Sequence, residues 1–302
     1  MKRVLALGFF DGVHLGHAAL IRKTAERARE LGAAPAVLTF DVHPDTLVTG
    51  APVPLITSPA DRAELVRRLG VEEILSLRFD RTLMQMPWDD FVAWVQTEFS
   101  AVHLVCGHDF TFGWKGQGKP ELLRQKAAEL GMGCDVIAKV EADGVTISST
   151  LIRRLLQEGN TREANRLLGH PHALTDTVRT GFRLGRKLGA PTVNMRFEDG
   201  VLIPAHGVYA GRLRIEGENI DRWAVTNIGV RPTVSDSPAV SVESYILDYS
   251  GNLYGKRIRL EFLDFQRPEQ RFADTDALKA QIERDTENVR VFAERFESER
   301  IQ

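Results

Sequence analysis

The chain has 302 residues, and its 39 Lys plus Arg against 41 Asp plus Glu leave a formal net charge of −2. That balance lacks the basic excess that sequence-independent nucleic-acid binding needs, so no nucleic-acid partner is expected. Hydrophobic residues at 43% and charged residues at 26% exclude wholesale disorder, and the length suits one large domain or two ordinary ones.

No apolar run approaches the roughly 20 residues of a membrane helix, so a soluble chain without a membrane partner is expected. Met1-Lys2-Arg3 followed by apolar residues has the outline of a secretory signal, but the apolar stretch ends at Asp11 without a small-residue cleavage site. A first strand running into a polar loop fits better. Cys106 and Cys134 are too few for a disulfide framework and have no zinc spacing, and they read as buried thiols in a reducing cytoplasm.

Residues 4–9 are a short apolar run suited to a buried parallel strand. Residues 18–31 carry Leu20, Ile21, Ala25, Ala28 and Leu31 at helical spacing and stop at Gly32. A strand is expected over 36–40, then the turn-rich Asp41-Val42-His43-Pro44, a helix over 59–69 and a strand over 73–77. Helix 89–99, strand 102–107 and helix 120–130 complete an alternation that predicts an α/β doubly wound, Rossmann-like parallel sheet.

The pattern changes after Leu168-Gly169-His170-Pro171. Strand-like runs at 207–213, 224–228, 240–248 and 257–262, punctuated by Gly and Pro, predict a small antiparallel β-barrel. A C-terminal helix over 274–297, with Leu278, Ile282, Val289 and Phe292 as its buried stripe, closes the chain. The boundary falls near 170–175, giving domains 1–170 and 171–302.

Two constellations carry chemistry. The first is Gly8-Phe9-Phe10-Asp11-Gly12-Val13-His14-Leu15-Gly16-His17, between the first strand and the first helix. Ligands of open α/β sheets sit where helix N-termini point, and those N-termini favour phosphate. His14 and His17 share one side of a helical turn and can donate to triphosphate oxygens, and Gly16 lets backbone approach a nucleotide. The spacing alone also fits a polar loop with two solvated histidines. The second constellation, Gly144-Val145-Thr146-Ile147-Ser148-Ser149-Thr150-Leu151-Ile152-Arg153, opens another helix. Its hydroxyls are ordinary N-cap chemistry or phosphate donors, and Arg153 can neutralise phosphate charge.

His14-Leu15-Gly16-His17 with Ile147-Ser148-Ser149-Thr150-Leu151-Ile152-Arg153 resembles the nucleotidyltransferase superfamily. Phe40-Asp41-Val42-His43-Pro44 and Gly107-His108-Asp109-Phe110-Thr111-Phe112-Gly113 narrow the likeness to the adenylyltransferase half of the prokaryotic bifunctional riboflavin kinase/FAD synthetases. The second half resembles the kinase half of the same family, through Gly185-Arg186-Lys187-Leu188-Gly189-Ala190-Pro191-Thr192-Val193-Asn194 and Gly207-Val208-Tyr209-Ala210-Gly211. Asn227-Ile228-Gly229-Val230-Arg231-Pro232-Thr233 and Val242-Glu243-Ser244-Tyr245-Ile246-Leu247-Asp248 add to it, and the match runs in order almost end to end.

The resemblance implies a cytoplasmic transferase that phosphorylates riboflavin with ATP and adenylylates the resulting FMN to FAD with a second ATP. Its partners would be these small molecules, with Mg2+ accompanying ATP and flavin-requiring apoproteins as candidate recipients of the product. By the same resemblance His14 and His17 hold the ATP phosphates, and Ser148, Ser149, Thr150 and Arg153 grip them from the far edge. Gly8, Phe9, Asp11 and Gly16 form the first loop, and Asp109, Phe110 and Phe112 line the FMN or adenine region.

In the kinase half the resemblance makes Glu243 the general base and Thr192 and Asn194 the ligands of an ATP-bound metal. Gly185, Arg186, Gly189 and Pro191 would lie near the nucleotide, and Arg267 in a loop that folds over the flavin. Ala190, Val193, Tyr245 and Val42 depart from the family pattern without removing a ligand or the base. These departures motivate an alternative, a single-activity FAD synthetase whose barrel binds flavin without turnover. A non-catalytic flavin sensor and a nucleotidyltransferase acting on another phosphorylated substrate are the remaining readings.

Overall fold

The computed structural model describes residues 1–179, 192–231 and 239–301, which fall into two compact units, Met1–Ser149 and Thr150–Gln302. In the first unit β1 (Arg3–Leu7), β2 (Ala34–Phe40), β3 (Glu73–Leu77), β4 (Ala101–Gly107) and β5 (Gly133–Ile137) form a parallel sheet ordered β3-β2-β1-β4-β5. Side chains alternate across a strand, so β1 feeds two cores: Leu5 and Leu7 on one face, Val4 and Ala6 on the other. This is why the first strand reads as an unbroken apolar run rather than an alternation. Helices α5 (Trp88–Phe99) and α6 (Pro120–Glu129) contribute to the first core, α1 (Leu15–Leu31) and α3 (Pro59–Arg68) to the second.

The expected doubly wound sheet is therefore present, and the element boundaries have local causes. Helix α1 starts at Leu15, ahead of its apolar periodicity, because the His14 side chain caps it by accepting the His17 N–H. It ends at Gly32, whose φ of 58° is left-handed. Pro44 opens a short α2 (Pro44–Thr49) beyond the expected turn, with His43 as its cap. The remaining short elements are α4 (Arg81–Gln85) and a two-stranded hairpin of β6 (Glu141–Ala142) and β7 (Val145–Thr146).

The second unit carries α7 (Ser149–Gln157, begun by the last residue of the first unit), α8 (Thr161–Leu168) and a six-stranded antiparallel sheet. The sheet order is β8 (His172–Thr177), β13 (Arg257–Pro268), β10 (Gly207–Ile215), β11 (Asp221–Arg231), β12 (Ala239–Ile246) and β9 (Thr192–Met195). The sheet curls into a half-barrel, in keeping with the expected small antiparallel barrel domain, and an isolated bridge beyond β8 reaches β9. The Arg179 N–H beyond β8 donates to the Asn194 carbonyl of β9 at 2.9 Å, and the Arg196 N–H donates to Asp176 at 3.0 Å. Tyr209, Ile228, Val242, Leu260 and Phe262 fill the interior. There Thr226 and Ser244, paired across β11 and β12, satisfy each other's hydroxyls at 2.9 Å. Among the described residues no helix is long and apolar enough to cross a membrane.

The C-terminal helix, α9 (Thr275–Ile301), buries Val289 completely and sets Phe292 and Phe296 edge-on against Trp223. The expected stripe is interrupted by a charge. Asp285 is only 3% exposed, accepts both Arg267 N–H bonds at 3.0 and 2.6 Å, and takes a third from Gln281 at 2.8 Å. Asp285→Ala leaves the mostly buried Arg267 without its counter-charge, and a loss of about 3 kcal/mol is expected. Guanidinium unfolding of this unit measures it, and a change under about 0.5 kcal/mol, the size of an ordinary surface substitution, would contradict the anchoring role.

His172 generates a second expectation. Its ring lies in the barrel interior between Phe197 and Phe262, and neither nitrogen has a hydrogen-bond partner among the described residues. Burial, with smaller contributions from His170 and Arg259, pushes its pKa down to about 3. The unfolded chain, with a histidine pKa near 6.5, binds a proton that the native state refuses. The penalty is absent above about pH 6.5 and grows by up to about 1.4 kcal/mol per pH unit on going down toward pH 3. Unfolding midpoints of the protein and of His172→Leu at pH 7 and pH 5 test this. The variant is expected to lose less stability on acidification, and equal losses would exclude His172 as the source.

Candidate active sites

In the parallel sheet the strand order reverses at β1 and β4, and open α/β sheets bind ligands beyond the carboxyl ends of strands at such a switch point. The Gly8–His17 and Gly107–Gly113 segments leave those two strands, so the topology brings two distant motifs to one place. The first segment is held in a costly conformation. Phe10, Gly12 and Val13 have φ of 59°, 78° and 42°, and a β-branched residue in that region is a true outlier. Phe10 and Val13 offset the strain by inserting into the core between the sheet and α1.

Asp11 braces the same turn. Its carboxylate, 2% exposed, accepts the Ile56 N–H at 2.9 and 3.0 Å and the Thr57 N–H at 3.2 Å, and Gly12 N–H donates to the Thr57 hydroxyl. The Asp11 side chain thus faces protein backbone, and its contribution to a ligand site is to fix the loop. The Phe9 carbonyl accepts from the Thr39 hydroxyl at 3.1 Å and from Arg62 at 3.0 Å.

Beyond the brace, the His14 and His17 rings stack at 3.6 Å with 15° between planes. His14 accepts the His17 N–H through Nδ1, so its neutral ring carries the proton on Nε2 and presents a donor there. A Cβ on Gly16 would stand 3.1 Å from the His14 ring. Gly16 therefore leaves room for the histidine pair. The Ser149 hydroxyl donates to the Asp11 carbonyl at 3.1 Å, which joins the second hydroxyl-rich motif to this loop. Ser148 is half-buried immediately before α7, and Thr150 and Arg153 follow on that helix.

A cavity of about 690 Å³ in the same unit is walled by aromatic rings, among them Phe40, Phe79, Phe110, Phe112 and Trp114. The Phe110 and Phe112 rings are nearly parallel, with centroids 5.5 Å apart. The size and the stacked faces suit a large planar ring system. Asp109 is exposed and does not line this cavity.

In the antiparallel unit the pairing register assembles the other candidate set. Glu243 on β12 stands directly opposite Asn194 on β9, Tyr245 opposite Thr192, and Asn227 on β11 opposite Glu243. Residues two apart share a sheet face, so Thr192, Asn194, Glu243, Tyr245 and Asn227 lie on one face. Val193 and Ser244 lie on the buried face. Tyr245 packs toward Val289 and Phe292 of α9, so its departure from the family pattern is absorbed at the helix contact.

The Asn227 amide donates to Glu269 at 3.5 Å. The Arg267 guanidinium is taken up by Asp285 and the Pro268 carbonyl, so it acts as an anchor for α9. Gly185, Arg186, Gly189 and Pro191 lie outside the described residues. Among the described residues no cluster of three His, Cys, Asp or Glu side chains could hold a metal ion. Thr192 and Asn194 fit a cation that arrives with phosphate oxygens of its own.

Sequence reading left Arg62, Thr57 and Asn227 without individual roles. The available signal for Arg62 was its place on the apolar stripe of α3, beside Leu65 and Val66, where a charge is out of character.

The family model for FAD synthetase matches residues 1–151, and that for riboflavin kinase matches residues 168–293. A bifunctional riboflavin kinase/FMN adenylyltransferase of Listeria monocytogenes is 38% identical over 98% of this chain and 94% of its own. Proteins of that name from Escherichia coli K12 (36%, covering 96% and 92%) and Bacillus subtilis (34%, covering 97% and 93%) are similar over equal spans. A solved Streptococcus pneumoniae structure, described as a macrolide-efflux protein, superposes with a TM-score of 0.86 at 31% identity, over 96% of this chain and 94% of that one. The relatives carry both activities in their names, which supports the two-activity reading over a single-activity synthetase or a sensor. Matched in both halves and in order, the chain belongs to the bifunctional riboflavin kinase/FMN adenylyltransferase family, transferases that convert riboflavin to FMN and FMN to FAD.

Proposed function

We propose that the two reactions run at two separate sites, FMN adenylylation within residues 1–170 and riboflavin phosphorylation within residues 171–302. The observation that carries this reading is that the His14/His17 pair and the Glu243/Asn194 pair belong to different compact units.

At the first site an FMN phosphate oxygen attacks the α-phosphorus of ATP, and pyrophosphate leaves from the opposite side. No covalent enzyme intermediate is needed, so catalysis rests on placing two anions and neutralising the leaving group. The His14 Nε2–H, the N-terminus of α1 and the Ser148 hydroxyl supply donors for the triphosphate, and Ser149 steadies the loop through the Asp11 carbonyl. Phe110, Phe112 and the neighbouring rings receive the isoalloxazine.

At the second site Glu243 takes the proton of the riboflavin 5′-hydroxyl as that oxygen attacks the γ-phosphorus of ATP, the bond from that phosphorus to the β,γ-bridging oxygen breaks, and ADP leaves. Thr192 and Asn194 would hold the Mg2+ that accompanies ATP, with neutral oxygens, and the cation would supply charge neutralisation to the transferring phosphates. Asn227, opposite Glu243 in the register, is placed to orient it. A cytoplasmic setting fits the demand for ATP at both sites and the free thiols of Cys106 and Cys134.

A chromatographic time course with riboflavin, ATP and magnesium chloride, resolving FMN and FAD, tests the assignment. Glu243→Gln is expected to slow FMN formation by about 10² or more, while FAD formation from supplied FMN stays within about twofold. His17→Ala is expected to give the reverse, a loss of about 10² in FAD formation with riboflavin phosphorylation kept. If either variant lost both activities together while remaining folded, the two-site reading would fail.

A further inference from the structure

Arg62 is 7% exposed, and the mechanism above makes no use of it. Its guanidinium lies over the Phe9 ring at 4.5 Å, and one Nη1–H donates to the Phe9 carbonyl at 3.0 Å. Among the described residues its Nε and Nη2 groups have no hydrogen-bond acceptor, so most of a five-donor fork is idle. The nearby Asp11 carboxylate directs its oxygens to the Ile56 and Thr57 N–H groups. Burial accordingly lowers the Arg62 pKa, and attraction to Asp11 opposes this only in part.

A purely structural reason for such a cation is weak. The Phe9 carbonyl already accepts from Thr39, and Asp11 braces the loop without Arg62. Desolvating a guanidinium is expensive unless something returns the cost. The position is telling: Phe9 lies just past the carboxyl end of β1, at the switch point, in the loop that leads to His14 and His17.

We propose that Arg62 is a phosphate-binding residue of the adenylyl-transfer site, its idle N–H edge taking oxygens of the substrate phosphates. The planar fork matches two phosphate oxygens at once, which a lysine ammonium does not. Phosphate of ATP and phosphate of FMN share this chemistry, and both meet at that site. The inference rests on the reading that the loop at residues 8–17 holds phosphate.

The experiment uses the full chain, with FAD formation from supplied FMN followed in Arg62→Gln and Arg62→Lys. Arg62→Lys keeps the charge and a donor for the Phe9 carbonyl but loses the fork. If the flavin phosphate is the ligand, the KM for FMN rises about tenfold or more in Arg62→Gln, with partial recovery in Arg62→Lys and little change in the KM for ATP. If the triphosphate is the ligand, the KM for ATP rises instead and product inhibition by pyrophosphate weakens. Either pattern supports the proposal. Near-normal KM values for both substrates in a folded variant overturn it, as does a lowered thermal midpoint with both KM values unchanged. Failure of both variants to fold also overturns it, in favour of a structural role. Full FAD synthesis by His17→Ala would instead sink the loop reading itself, whatever Arg62 does.

Discussion

The N-terminal unit depends on one carboxylate. Asp11 gathers the N–H groups of Ile56 and Thr57, and by doing so keeps Phe10, Gly12 and Val13 in left-handed backbone conformations that two of them resist. Released from that brace, the turn would relax, and the histidine pair capping α1 would lose the entry angle that stacks its rings. The brace also fixes where α3 begins, because Ser58, its cap, follows Thr57 directly and accepts the Asp61 N–H. Strain held in this way is a form of preorganisation, because the loop and its donors are fixed before any ligand arrives.

The C-terminal unit solves a different problem with sheet register. Three strands bring Asn194, Glu243 and Asn227 side by side, and the spacing between them is set by the distance between adjacent strands. Such a site is stiff, since its members cannot shift without breaking ladder bonds. The opposite face buries Val193, Val242 and Ser244 in the barrel core, so the polar row is tied to the packing beneath it. The Arg267–Asp285 pair anchors α9 against this same sheet, and Trp223, Phe292 and Phe296 complete the contact with apolar area.

Both units place a charge where hydrophobic periodicity calls for an aliphatic residue. Asp285 does so on α9 and Arg62 on α3. The first is matched by a bidentate partner and holds the fold together. The second has, among the described residues, a single carbonyl acceptor, and that imbalance separates an anchor from a group waiting for a ligand.

Much of this was legible in the sequence. The change from strand–helix alternation to closely spaced strands gave both fold classes, because the periods of 3.6 and 2 survive in the order of apolar residues. The ordered motifs pointed to the family, and within them His14, His17, Thr192, Asn194 and Glu243 stood out as candidates because phosphate and proton transfer call for those side chains. What the sequence could not contain was pairing. Nothing between Asp11 and Ile56 signals that one carboxylate will accept two distant N–H groups, because those donors are backbone and every residue carries them. Nor does the sequence signal that Arg267 pairs with Asp285, 18 residues later. Local pattern determined which elements form; the register of strands and the partners of buried charges were decided only by tertiary packing, since those contacts join residues far apart in the chain.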